Sequence, residues 1–134
     1  MFNLIRPRTA EDRDAERIYR AHVERIIGRV RALFEEWLAT REFEPDNTRL
    51  ANAAAVHRWE SLRLLHEVEA LAPPKSLLLI QRQLQESLLA TARGCQLLAN
   101  GYRSHKSEAV CDGQALLLDT VGALDRLAVE MDRR

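Results

Sequence analysis

Apolar residues recur along most of this chain in alternating steps of three and four positions. The first such stripe consists of Tyr19, Val23, Ile26, Val30, Leu33 and Trp37. Residues at this spacing share one face of an α-helix, which turns once every ~3.6 residues. Good helix formers dominate the composition, and runs of β-branched residues, which favour strands, do not occur. The pattern predicts an all-α protein.

Helix breakers and capping residues divide the chain into four segments. The breaks are Pro45 followed by the capping candidates Asp46 and Asn47, the pair Pro73 and Pro74, and Asn100–Gly101 followed by Ser104. Proline ends a helix, glycine commonly follows its last turn, and short polar residues cap the next helix. Thr9 and Asp12 have the spacing of a capping box. Helices are predicted over residues 9–42, 46–71, 74–100 and 104–132.

Short connections require successive helices to run antiparallel and side by side. The sequence therefore predicts a single domain, residues 1–134, folded as an up-down-up-down four-helix bundle. Pairing the stripes across the turns gives core layers, one of which contains Leu33, His57, Leu88 and Leu117.

Charge favours the same arrangement. The four quarters, residues 1–34, 35–72, 73–103 and 104–134, carry net charges of +3, −4, +3 and −2. In a square bundle every helix then adjoins two helices of opposite sign. Each exposed ion pair contributes only ~0–1 kcal/mol, so the alternation selects neighbours more than it stabilises the fold.

Composition and overall charge limit the functional classes. A chain of 134 residues with 46% hydrophobic and 30% charged residues is typical of one globular domain. The apolar segment around Phe2, Leu4 and Ile5 ends at Arg6 and is too short for a signal peptide, so we expect a cytoplasmic protein. A formal net charge of zero argues against general binding of nucleic acid or anionic membranes.

Four polar residues fall on the core stripes in adjacent layers: His57, Ser61, Thr91 and Gln114. They could form a pocket for a small ligand, with His57 as the titrating group. They could instead form a buried hydrogen-bond network that fixes the register of the helices. In the structural interpretation His57 is buried and neutral at pH 7, because desolvation lowers its pKa and no inward carboxylate compensates.

A metal centre or cofactor is not expected. Di-iron bundles use Glu-x-x-His motifs from paired helices. Here the order is reversed in His57-x-x-Glu60 and His66-x-x-Glu69, both of which lie on the second helix. Glu60, His66 and Glu69 also fall outside the core stripe.

Nucleophilic catalysis has no support either. Cys95 and Cys111 are expected to lie close together as buried, reduced thiols, and no histidine shares their layers to activate them. An enzyme is therefore the least supported functional class.

Two glycines inside the third and fourth helices also need a reason, because glycine weakens a helix by ~1 kcal/mol relative to alanine. Gly94 and Gly113 should face each other, which indicates either close approach of the two helices or a groove open to a partner.

The third helix is unusually apolar on its outer side. Its leucines outside the core stripe are Leu78, Leu79, Leu89 and Leu97. A wide apolar outer face usually meets another chain. We therefore expect a non-enzymatic interaction or structural protein that forms a homo-oligomer or serves as a subunit. The alternative is a small-ligand-binding or sensory bundle around His57.

Overall fold

The computed structural model describes residues 9–133, which form four α-helices and contain no strand. The helices are α1 (Ala10–Phe43), α2 (Asn47–Glu69), α3 (Leu78–Arg103) and α4 (Ser107–Asp132), and a 3₁₀ turn, Lys75–Leu77, precedes α3. The all-α class and the four-helix bundle are confirmed. The expectation about a signal peptide concerns Phe2, Leu4 and Ile5, which lie outside the described residues.

The caps expected at the first two helix starts are present. The Thr9 hydroxyl accepts a hydrogen bond from the Asp12 N–H at 3.0 Å, and the Asp12 carboxylate accepts one from the Thr9 N–H at 3.0 Å. Asp46 caps α2, because its carboxylate accepts from the backbone N–H groups of Thr48 and Arg49 at 2.7 and 3.2 Å. Each cap satisfies N–H groups that have no partner inside the helix.

The second connection is longer than the sequence predicted. α2 ends at Glu69 instead of residue 71, and α3 begins at Leu78 instead of residue 74. Between them the Leu77 N–H donates to the Pro74 carbonyl at 2.9 Å. Pro74 thus opens a tight 3₁₀ turn that leads into the α-helix.

Gly101 does not end α3 as predicted. The helix continues to Arg103, and α4 begins after Lys106, without a side-chain cap from Ser104. Gly101 is needed for close approach instead, since a Cβ there would lie 2.8 Å from a methyl carbon of Val110. The left-handed residue of the turn is His105, with φ of 53°.

The helices form an antiparallel square in which α3 packs closely against α2 and α4, whereas α1 lies farther from its two neighbours. Gly94 and Gly113 explain the close approach of α3 and α4. A Cβ at Gly113 would lie 2.8 Å from the Gly94 carbonyl oxygen and 2.9 Å from Leu98 Cγ. The predicted close approach of the two helices at these glycines is confirmed.

The apolar stripes form the core. Every predicted stripe residue of α1 is buried, from Tyr19 to Trp37. α4 is covered less completely, because its apolar residues Val110, Val121 and Ala128 are only half-buried.

Ion pairs along α1 follow the predicted alternation of charge. Arg25 and Arg29 of α1 pair with Glu67 and Glu60 of α2, with N–O distances of 3.6 and 3.8 Å. On the opposite side Arg31 pairs with Asp125 of α4. The cations of α1 therefore meet the anions of both neighbouring helices.

No helix within residues 9–133 has the length and apolar character needed to cross a membrane.

Candidate functional site

A small cavity inside the bundle brings together three of the four predicted polar residues. It is lined by residues of all four helices, including His57, Ser61 and Thr91, and its volume is about 20 Å³. One water molecule needs about 10–15 Å³ of such space. The cavity can therefore hold about one water molecule, and it is too small for a metabolite.

The hydroxyl groups around this cavity do not join in the network predicted from the sequence. Ser61 Oγ donates to the His57 carbonyl at 2.8 Å, and Thr91 Oγ1 donates to the Ser87 carbonyl at 2.8 Å. Thr120, which also lines the cavity, donates to the carbonyl four residues earlier at 2.9 Å. Each hydroxyl proton is thus used within its own helix, a common alternative for serine and threonine in helices.

Gln114 lies outside the cavity and is only half-buried. Gln114 lies near the hydroxyl of Tyr102, whose pKa is raised by burial and lowered by Arg41 and by Gln114. The Tyr102 ring packs at 5.9 Å from the ring of Trp37. The predicted polar cluster therefore divides into the cavity residues and a separate Tyr102–Gln114 pair.

His57 is buried, as expected, and burial lowers its pKa. No carboxylate lines the cavity around the ring, but charged groups farther out also act on its pKa. Glu36 raises the pKa, Arg29 lowers it and Glu60 raises it. These three groups belong to the ion-paired seam between α1 and α2, which reaches the ring from the outer side of the bundle.

Trp37 joins His57 at the cavity, although the sequence pattern indicated only an apolar core position for it. The two rings meet edge to face, with centroids 6.4 Å apart and planes at 87°. Trp37 Nε1 and His57 Nδ1 are both fully buried, and neither has a hydrogen-bond partner among the described residues. A tryptophan on a core stripe carries an N–H that must be satisfied, which is the signal that could have identified it.

A second buried polar contact lies near the opposite end of the bundle. The Tyr19 hydroxyl donates to Gln81 Oε1, and Gln81 Nε2 donates to the Val68 carbonyl at 2.6 Å. Burial raises the pKa of Tyr19 to about 12. Gln81 lies four residues after Leu77 and three before Leu84, so it falls on the apolar face of α3. A polar residue at such a position was the available signal.

The two cysteines differ in environment. Cys95 is buried, and burial raises its pKa to about 12. Cys111 is exposed, so the expectation that both thiols are buried is wrong. Cys111 directly follows Val110, which is half-buried. Because one residue turns a helix by about 100°, the Cys111 side chain lies outside the buried face.

Among residues 9–133, no group of three or more His, Cys, Asp or Glu side chains could hold a metal ion.

The four outer leucines of α3 are all exposed, but they do not form one continuous stripe. Leu79 borders a groove shared with α4, and Leu97 lies beside the first turn of α4. Leu78 and Leu89 are rotated by roughly 100° from this edge and lie toward α2. The exposed charged residues Arg82, Glu86 and Arg93 lie between the two edges.

An open groove runs between α3 and α4, with a volume of about 640 Å³. Short and apolar side chains line much of it, including Ala90, Ala123 and Leu116. Glu86, Asp119, Arg126 and Glu130 contribute charged groups. Small side chains on both helices therefore leave an open channel outside the close contact of α3 with α4.

Trp59 is a large exposed residue on α2 that was not among the predicted site residues. Its side chain is 67% exposed, and the Arg58 guanidinium lies 5.8 Å from the centre of its ring. An aromatic residue outside the core stripe of a helix was the available signal.

Comparison with known protein families, curated proteins and solved structures gave no match to this chain.

Proposed function

We propose that this chain is a cytoplasmic, non-enzymatic interaction protein that self-associates through the outer face of α3 and α4. The observation that carries the proposal is the groove of about 640 Å³ between these helices, with the exposed Leu79 on its edge. Grooves with apolar linings are typical of surfaces that receive a helix from another chain.

A second copy of the chain fits this face because the face contains both a groove and side chains able to fill one. Leu79 and Leu97 are exposed along the α4 edge of α3, and Ala90 and Ala123 leave space beside them. A twofold axis would bring the leucines of each copy against the groove of the other, since such an interface pairs a surface with itself.

The net charges of α3 and α4 also support a second copy of the chain as the partner. α3 contains three arginines and one glutamate, a net charge of +2, whereas α4 contains six acidic residues and one arginine, a net charge of −5. In a twofold arrangement α3 of one copy would lie beside α4 of the other. Opposite charges would then adjoin across the interface, as they do along α1 within one chain.

The alternatives have less physical support. A ligand site around His57 would have to fit a cavity of about 20 Å³. The Cys95 thiol has a pKa of about 12 and stays protonated at neutral pH, whereas a cysteine nucleophile requires the thiolate.

Sedimentation equilibrium of the wild type, Leu79→Glu and Leu89→Glu tests the proposal. Both leucines are exposed on α3, so the same substitution on the α2 edge is a matched control for the α4 edge. We expect a wild-type dimer, a dissociation constant at least ~10-fold higher for Leu79→Glu, and little change for Leu89→Glu. A wild-type monomer at every accessible concentration would overturn the proposal. Dissociation by Leu89→Glu alone would move the interface to the α2 edge.

A further inference from the structure

We infer that the cavity between Trp37 and His57 is a binding site for one water molecule, which accepts a hydrogen bond from Trp37 Nε1–H and donates one to His57 Nδ1. The water would connect α1 to α2. The inference does not rest on the proposed self-association.

The two nitrogen atoms make the strongest argument. Trp37 is 2% exposed and His57 is 9% exposed, yet neither Nε1 of Trp37 nor Nδ1 of His57 has a partner among the described residues. Buried polar atoms are nearly always hydrogen-bonded to protein or to ordered water. Both residues line the same cavity, and their ring centres are 6.4 Å apart. One small molecule in that cavity can serve both atoms.

The rest of the lining supplies acceptors for the second proton of the water. Ser61, Thr91 and Thr120 all line the cavity, and each donates its own hydroxyl proton to a backbone carbonyl. Their oxygen atoms can therefore still accept a hydrogen bond. A buried water typically makes about three hydrogen bonds: here one would be accepted from the indole and two donated, to the imidazole and to a hydroxyl oxygen.

Size and charge select water over other occupants. A volume of about 20 Å³ exceeds the space of one water but excludes an organic ligand. No carboxylate lines the cavity to hold a cation. An apolar occupant would leave both nitrogen atoms unpaired. Burial lowers the pKa of His57, which favours the neutral ring, whose unprotonated nitrogen can accept from the water.

NMR of the ¹⁵N-labelled protein tests the site. The chain has two tryptophans, so the exposed Trp59 is an internal control, and Trp59→Phe leaves Trp37 as the remaining indole signal. We expect cross-relaxation between the Trp37 indole proton and a water that tumbles with the protein, whereas Trp59 should exchange with bulk solvent. The ¹⁵N shifts of His57 should indicate a proton on Nε2 and none on Nδ1.

Substitution gives the second arm of the test. Trp37→Phe should change the ¹⁵N shifts of His57, whereas Trp59→Phe should leave them unchanged. If Trp37→Phe fails to fold, the wild-type measurement still decides. Absence of the water cross-peak at Trp37, or a proton on Nδ1 of wild-type His57, would overturn the inference.

Discussion

The hydroxyl of Tyr19 on α1 donates a hydrogen bond to Gln81 Oε1 on α3, across the diagonal of the bundle. Through Nε2 the same amide donates to the Val68 carbonyl at 2.6 Å, one of the last carbonyls of α2. One glutamine thereby connects three helices, and it gives the Val68 carbonyl a second donor besides the Leu71 N–H, which donates at 3.0 Å.

Removing the Tyr19 hydroxyl should destabilise the fold. Tyr19→Phe keeps the ring but leaves the buried Gln81 oxygen without its donor, and an unsatisfied buried group costs about 1–3 kcal/mol. The free energy of unfolding from urea denaturation measures the effect. Tyr102→Phe is the control, because Tyr102 is only half-buried and its loss should be smaller. Equal midpoints for wild type and Tyr19→Phe would contradict this role.

Gly28 and Gly113 provide a matched pair of alanine substitutions. Nothing lies within 4 Å of a Cβ built on Gly28, so Gly28→Ala should stabilise the protein by up to ~1 kcal/mol through helix propensity. A Cβ on Gly113 would lie 2.8 Å from the Gly94 oxygen. Gly113→Ala should therefore destabilise by ~1–3 kcal/mol, as overpacking does. Thermal unfolding of both variants checks the opposite signs, and stabilisation by Gly113→Ala would mean that α3 and α4 separate at little cost.

The lowered pKa of His57 predicts a loss of stability on mild acidification. Burial keeps the folded pKa below the ordinary value of 6.5, so the unfolded chain binds the proton more tightly. The contribution of the neutral ring is fully present above about pH 6.5, and it is lost as the pH falls from there toward the folded pKa.

Urea denaturation at several pH values tests this linkage. Over that window the wild type should lose stability faster than His57→Phe, by at most ~1.4 kcal/mol per pH unit for one proton. His66→Gln removes an exposed histidine from the same helix and should keep the wild-type slope. An unchanged slope in His57→Phe would refute the linkage.

The two cysteines should react with thiol reagents at very different rates. Cys111 is exposed, whereas Cys95 is buried with a pKa raised to about 12. Because the thiolate is the reactive form, the native protein should release one equivalent of thionitrobenzoate from Ellman's reagent quickly. The second should appear only in denaturant. Cys111→Ser should abolish the fast phase and Cys95→Ser should keep it; two fast equivalents in the native wild type would contradict the burial of Cys95.

The period of apolar residues predicted the helices and most of the core, because one buried face per helix leaves a direct mark on the sequence. The sequence did not predict details that depend on which residue of a neighbouring helix packs opposite. Gly101 looked like a helix end, since a glycine needed for close approach to Val110 has the same local sequence as one that ends a helix. Cys111 was misplaced because a half-covered α4 leaves the edge of its buried face undefined.

Three of the four residues of the predicted polar cluster line one cavity, but their hydrogen bonds were not predicted. His57, Ser61 and Thr91 meet at one cavity because their helical positions determine which layers they enter. The sequence could not indicate that the hydroxyls would donate to carbonyls of their own helices. Donation to a side chain across the cavity would satisfy the hydroxyl proton equally well. Gln114 lies near Tyr102 instead, because at the edge of the core its long side chain can reach more than one layer.

Because α1 packs at a greater distance from its neighbours, it should unfold locally at a lower free-energy cost than α2, α3 and α4. α2, α3 and α4 approach one another closely through α3, whereas α1 is held mainly by large side chains and by exposed ion pairs. Exposed pairs add little, and local opening follows the least densely connected element. The amide hydrogens of α1 should accordingly exchange with solvent through a partial unfolding that leaves the other three helices intact, well before those at the centre of α3.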